Sequence, residues 1–233
     1  MSEQHDNSTE MWQKYYSSKR GKPYFEKIIH FGRKVYFGGA FAKTIIKLGG
    51  KADSYLETGV GTGQTLEILE RVTGAKCTGI EKTPSAYQLG KEYAKKCNII
   101  LGDALAISEP SKSFDISYSL GLFEHFSIEE QRKFLSEQAR VTRKKILIEV
   151  PCRMPHMITI MWFNRNIRKL RGVWADDELF SKKHFAKKFP GLPFLYHFDI
   201  RSLGMTCWFT LNPADVDAWL KKYDSSNTFS KEQ

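Results

Sequence analysis

Residues 54–63, Ser-Tyr-Leu-Glu-Thr-Gly-Val-Gly-Thr-Gly, constrain this chain more than any other stretch: a short apolar run ends in Glu57, and glycines follow at 59, 61 and 63. Glycine reaches positive φ and has no Cβ, so three at alternate positions specify a tight loop that a ligand can approach closely. Residues 64–72 carry Leu66, Leu69 and Val72 at helical spacing. The free N–H groups at the start of that helix point back into the loop, where a polar or anionic group sits well.

The same order of strand, turn and helix recurs. A β-like run, 76–80, ends in Glu81, and Thr83-Pro84 supplies an N-cap and first-turn proline for a helix with Ala86, Leu89, Gly90, Tyr93 and Ala94 on one face. A third strand, 98–101, leads into Gly102-Asp103-Ala104. A fourth, 114–119, runs into Leu120-Gly121-Leu122-Phe123-Glu124-His125-Phe126. Ser127-Ile128-Glu129-Glu130 is a capping box opening a helix through Thr142, before a fifth strand at 145–150. Such alternation implies a mainly parallel sheet covered on both faces, with ligands beyond the carboxyl ends of the strands. Segments 195–200 and 205–211, joined through Ser202-Leu203-Gly204, read as an antiparallel hairpin.

Spacing selects the ligand. The dinucleotide fingerprint needs Gly-x-Gly-x-x-Gly, and Gln64 stands where its third glycine would fall, so a nicotinamide cofactor ranks last. An acidic residue followed by Gly-x-Gly-x-Gly resembles the first motif of the class I S-adenosylmethionine-dependent methyltransferases. The 120–126 segment is similar to the post-strand segment of their small-molecule members. The resemblance covers about residues 35–222, with its specific motifs between Tyr55 and Phe126, and is general beyond Pro151. It implies an α/β, Rossmann-like three-layer sandwich with a seven-stranded, mostly parallel sheet and an antiparallel C-terminal hairpin strand.

It also implies S-adenosylmethionine as cofactor, bound by Glu57, Gly59, Gly61, Gly63, Glu81, Asp103, Ala104 and Leu120. Glu81 would accept from the ribose hydroxyls, and Asp103 from the adenine amine beside a neighbouring backbone N–H. Methyl transfer to an O, N or C atom of a small molecule would follow, with His125 and Glu124 as bases where the acceptor must lose a proton. Methylation of a protein or RNA, and cofactor binding without catalysis, are the alternatives. Residues 1–34 would form a helical lid bearing Trp12, Tyr15 and Tyr16, residues 151–192 an insertion on the substrate side, and 223–233 a disordered tail.

Composition narrows the partners. With 36 basic and 26 acidic side chains the formal charge is +10, which favours an anionic partner, including an anionic small acceptor. Nucleic acid is not favoured, because the segment after the fourth strand lacks the Asn/Asp-Pro-Pro-Tyr/Phe motif of base-amino methyltransferases. Residues 157–171 combine Trp162 and Phe163 with Arg165, Arg168, Lys169 and Arg171, a local hint of peripheral membrane contact. A core-facing helix with a basic outer side is the preferred reading. Cys77, Cys97, Cys152 and Cys207 lie far apart in sequence, and no metal-ligand spacing stands out, so neither a disulfide framework nor a metal site is expected. A reducing cytoplasm is the simplest home. The sequence leaves the oligomeric state open.

Overall fold

The computed structural model describes residues 13, 38–169, 177–202 and 204–229, and its contacts group them into two compact units, up to Ser108 and from Glu109. In the first unit helix α1 (Gly39–Gly49) precedes β1 (Ser54–Thr58), which is buried throughout. Helix α2 (Gln64–Thr73) connects β1 to β2 (Lys76–Glu81), and α3 (Pro84–Tyr93) connects β2 to β3 (Asn98–Leu101). All three strands are parallel, with β2 in the middle: Leu56 pairs with Thr78, and Ile80 with Ile100. Parallel neighbours require such crossovers. Leu66 and Leu69 of α2 and Ala86, Leu89 and Gly90 of α3 are buried as their spacing predicts. Val72 and Tyr93, expected on those faces, lie in the last turns and are exposed.

In the second unit β4 (Phe114–Leu120) lies parallel to β5 (Thr142–Pro151) and places Leu120 opposite Glu149. Helix α4 (Ile128–Val141) links them and opens with the expected box: the Ser127 hydroxyl accepts from Glu130 N–H at 3.3 Å, and Glu130 accepts from Ser127 N–H at 2.9 Å. The chain enters β5 directly from this helix, three residues before the expected start. Helices α5 (Pro155–Asn166) and α6 (Lys182–Lys188) precede β6 (Leu195–Phe198) and β7 (Thr206–Leu211). β7 is antiparallel to both β5 and β6, as the hairpin reading expects. Helix α7 (Pro213–Phe229) runs past Tyr223, into the stretch where the sequence suggests a disordered tail.

The seven strands form one mixed sheet in the order β3-β2-β1-β4-β5-β7-β6. An aromatic core fills the second unit, with Phe123, Phe134, Phe180, Phe185, Phe189 and Phe209 fully buried. Phe185 stacks on Phe209 at 4.0 Å between ring centroids. Phe180, Phe185 and Phe189 come from the 151–192 insertion, whose second half is therefore core. Its first half corrects the expectation of a core-facing helix: only Met157 and Asn164 of α5 are buried, while Ile158, Ile160, Trp162 and Phe163 are exposed.

Candidate functional site

The loop after β1 has the conformation that only glycine takes without strain. Gly59, Gly61 and Gly63 have φ of 73°, 55° and 70°. The N–H groups of Gly59 and Val60 both donate to the Ile80 carbonyl, at 2.8 and 3.1 Å, which folds the loop onto the end of β2. A Cβ on Gly63 would stand 2.9 Å from the Ala94 Cβ, so this glycine also allows close packing just beyond α3.

Glu81 closes the clasp. It is 7% exposed, and its Oε2 accepts from Gly61 N–H while its Oε1 accepts from Thr83 N–H, both at 2.8 Å. A carboxylate oxygen has two lone pairs, so each retains acceptor capacity for a vicinal hydroxyl. Glu57, buried at the end of β1, pairs in register with Gly79. Asp103 accepts from Leu105 N–H through Oδ1 at 2.9 Å, and its Oδ2 lies 3.1 Å from Lys82 Nζ. Ala104 and Leu105 are buried beside it. At the first turn of α3 the Gln13 Oε1 accepts from the N–H and hydroxyl of Ser85, at 3.2 and 3.0 Å. Trp12, Tyr15 and Tyr16, the suggested lid aromatics, lie outside the described residues. A glycine loop, a buried carboxylate with spare lone pairs and a polar turn over apolar residues fit the sugar and purine of a nucleoside.

In the second unit Leu120 ends β4, and Gly121, with φ of 59°, turns the chain into a single 3-10 turn, Phe123–His125. Fully buried Gln131 donates from Nε2 to the Phe123 carbonyl at 3.0 Å and to Glu178 Oε2 at 3.3 Å, which fixes that turn. Glu178 also binds His184, at 2.8 Å, and Lys188. Burial works against its charge, but Lys188 and His184 hold its carboxyl below the usual range.

Glu124 is 7% exposed, and its Oε2 has no hydrogen-bond partner among the described residues. Burial pushes its carboxyl well above the usual range, and nearby Glu149 adds to the shift. Burial likewise raises Glu149 to about 7. Burial lowers His125 below the usual imidazole value, although Asp177 Oδ1, 3.6 Å from its Nδ1, opposes that shift. The site thus sets two carboxyls whose charges disfavour each other beside an imidazole that faces a carboxylate, and Glu149 can hold or release a proton near neutrality.

Residues 56–148 match the family model described as a methyltransferase domain. The match covers less than half of the chain. Over 135 residues the chain is 30% identical to a probable chloroplastic tocopherol O-methyltransferase of Oryza sativa subsp. japonica, covering 55% of this chain and 34% of that protein. The chain thus spans about a third of the length of this curated relative. Among solved structures, magnesium protoporphyrin IX methyltransferase from Synechocystis, with bound S-adenosylhomocysteine, aligns with a TM-score of 0.60 at 11% identity, covering 85% of this chain and 91% of that one. A methyltransferase from Thermotoga maritima described as a possible histamine N-methyltransferase aligns with a TM-score of 0.59 at 15% identity, covering 81% and 94%. At such identities these structures establish the shared fold.

The structure brings the glycine loop and Glu81 into direct contact, and sets Asp103 against a cation that sequence reading passed over, Lys82. Its position beside Glu81 was the available signal. Sequence reading also missed Glu149, the last charged residue of β5 and the in-register partner of Leu120. Gln13 and Ser85, 72 positions apart in the chain, left no pattern to find.

Proposed function

We propose that the methyltransferase domain binds S-adenosylmethionine and that the protein transfers its methyl group to an oxygen, nitrogen or carbon atom of a small-molecule acceptor. The observation that carries this reading is the Glu81 clasp, a buried carboxylate holding the Gly61 amide at the end of β2. The cofactor supplies an electrophilic methyl carbon on a sulfonium, and the chain's own residues bind and orient. Loop N–H groups at 59–63 receive the cofactor's polar end, Glu81 accepts from the ribose hydroxyls, and Asp103 accepts from the adenine amine over Ala104 and Leu105. Orientation supplies most of the rate, with reacting atoms held about 3 Å apart in a dry site. Where the acceptor must lose a proton, His125 is a base, and Glu124 is one in its ionised form, which burial and then the nearby Glu149 disfavour.

The rice relative and the Synechocystis enzyme are both named for small-molecule acceptors, which supports that class here. The +10 charge favours an anionic one. The contact of Gln13 with Ser85 supports residues 1–34 as a lid over the nucleoside site. All four cysteines are free thiols, which supports a reducing compartment such as the cytoplasm.

Calorimetry with S-adenosylmethionine and with NAD decides the cofactor: binding of the first alone is expected, and binding of the second alone overturns the assignment. Methyl-labelled cofactor incubated with cell extract is then expected to label the small-molecule fraction. Label in protein or RNA instead replaces the acceptor class, and cofactor binding without any label in any fraction makes the protein a non-catalytic binder.

A further inference from the structure

Helix α5 has a composition that the rest of the fold does not use. Of its large apolar residues Met157 alone is buried, whereas Ile158, Ile160, Trp162 and Phe163 are 46, 44, 57 and 46% exposed, and Ile167, one residue past the helix, is 57% exposed. At 100° per residue these fall into two rows, Ile158 with Trp162 and Ile160 with Phe163 and Ile167, separated by exposed Thr159 and Asn166. The rows flank Thr159 and Asn166, which stand opposite the buried pair Met157 and Asn164. Exposed apolar groups on this scale mark a surface that meets another phase or partner.

Charge says which. Exposed Arg153 precedes the helix, and exposed Arg165, Arg168 and Lys169 crowd its C-terminal end, where they also complement the helix dipole. Arg168 is steered by the Asn164 Oδ1 at 3.3 Å. A cavity of about 350 Å³ is lined by Arg153 and Arg165 together with Asp177, Ile158, Met161 and Trp162, so two cations, one carboxylate and apolar groups converge on one hollow. Trp and Phe among isoleucines, rimmed by long cations, form the pattern of a helix lying in a lipid interface: rings at headgroup depth, and Arg and Lys stems reaching to phosphates. Twelve residues are about 18 Å of helix. No helix among the described residues is long and apolar enough to cross a membrane, so the geometry fits lying flat. The cationic end of the helix favours an acidic lipid surface over a second copy of this equally basic chain, whose formal charge is +10.

We propose that α5 docks the protein peripherally on membranes containing anionic phospholipids, with Trp162 and Phe163 entering the interface and Arg165, Arg168 and Lys169 contacting the headgroup phosphates. This is independent of the methyl-transfer reading.

The test is cosedimentation of the full chain with vesicles of phosphatidylcholine alone and of phosphatidylcholine mixed with phosphatidylserine. Binding to the mixed vesicles that weakens with salt is expected, with little binding to phosphatidylcholine alone. Joint Trp162→Ser and Phe163→Ser, and separately joint Arg165→Glu and Arg168→Glu, are each expected to weaken it roughly tenfold or more. All four side chains are exposed, so circular dichroism and cofactor affinity should be unchanged. Failure of the wild-type chain to bind mixed vesicles overturns the proposal. So does unchanged binding by the Trp162/Phe163 variant, which would reveal a polyanion site open to RNA. Concentration-dependent dimerisation that the same variant abolishes, without vesicle binding, would assign the face to a second copy and equally overturn it.

Discussion

Glu81 serves shape and recognition through the same two oxygens. Both accept backbone N–H groups, one from the glycine loop and one from the chain leading into α3. Removing the side chain would loosen the loop as well as the ligand contact, so Glu81→Gln is the sharper probe. It keeps one acceptor oxygen but loses the charge, and S-adenosylmethionine affinity measured by calorimetry is expected to fall about tenfold to a hundredfold, the range of a charge-assisted hydrogen bond. Glu149 is a different case, because burial raises its carboxyl to about 7 from an ordinary 4.5. A raised folded-state value means that the native chain holds its proton more tightly. The associated stability is fully present below about pH 4.5 and is lost as pH rises through about 7. Its ceiling is on the order of 3 kcal/mol for a fully buried group. Denaturant melts across this window should show wild-type stability declining with pH, and Glu149→Gln should flatten the decline. The cysteines carry a lesson of the same kind. Remote in sequence, they meet as Cys77 with Cys97 and Cys152 with Cys207, and each pair shifts its members' thiols. The Cys77 contact lowers the Cys97 thiol, and Cys97 alone of the four is not buried. Alkylation of the native protein, mapped by mass spectrometry, should therefore modify Cys97 first.

At the scale of elements, local chemistry accounts for the starts and stops that sequence reading placed well. The Ser127–Glu130 box opens α4 one residue after the turn that carries Glu124 and His125. Ser127→Ala is expected to cost about 1 kcal/mol, read as a lower midpoint in urea unfolding with an unchanged slope. Pro84 after Thr83, and Ser181 before α6, mark boundaries through equally short-range rules. Helix α5 was legible as an apolar run but not as a surface. Phe180, Phe185 and Phe189, later in the chain, fill the core of the second unit instead, and periodicity within 157–163 does not record that. The start of β5 at Thr142, ahead of the expected residue 145, was likewise not legible locally: the Arg143 Nε and the Lys144 Nζ reach Asp115 of β4, at 2.9 and 3.1 Å.

For the whole molecule, the mostly parallel sheet and its antiparallel hairpin were readable because alternating strands and helices obey rules of connection that need no tertiary detail. Glu149 and Lys82 were not, since their importance rests on which groups neighbouring strands and turns set beside them. The two proposed surfaces also belong to separate parts of the chain, which makes them separable in one measurement. Hydrogen exchange of the full chain with S-adenosylmethionine at about a hundred times its dissociation constant should slow amides in 59–63 and 103–105 by up to about a hundredfold, the limit set by linkage where exchange requires release of the ligand. Amides of 155–166 should be indifferent to the cofactor. Adding vesicles containing phosphatidylserine should reverse the pattern, protecting 155–166 while leaving 59–63 and 103–105 at their ligand-free rates. If the cofactor left the glycine loop unprotected, the nucleoside site would be misplaced whatever the vesicles did, and if the vesicles left 155–166 unprotected, docking through α5 would fail with the cofactor assignment intact.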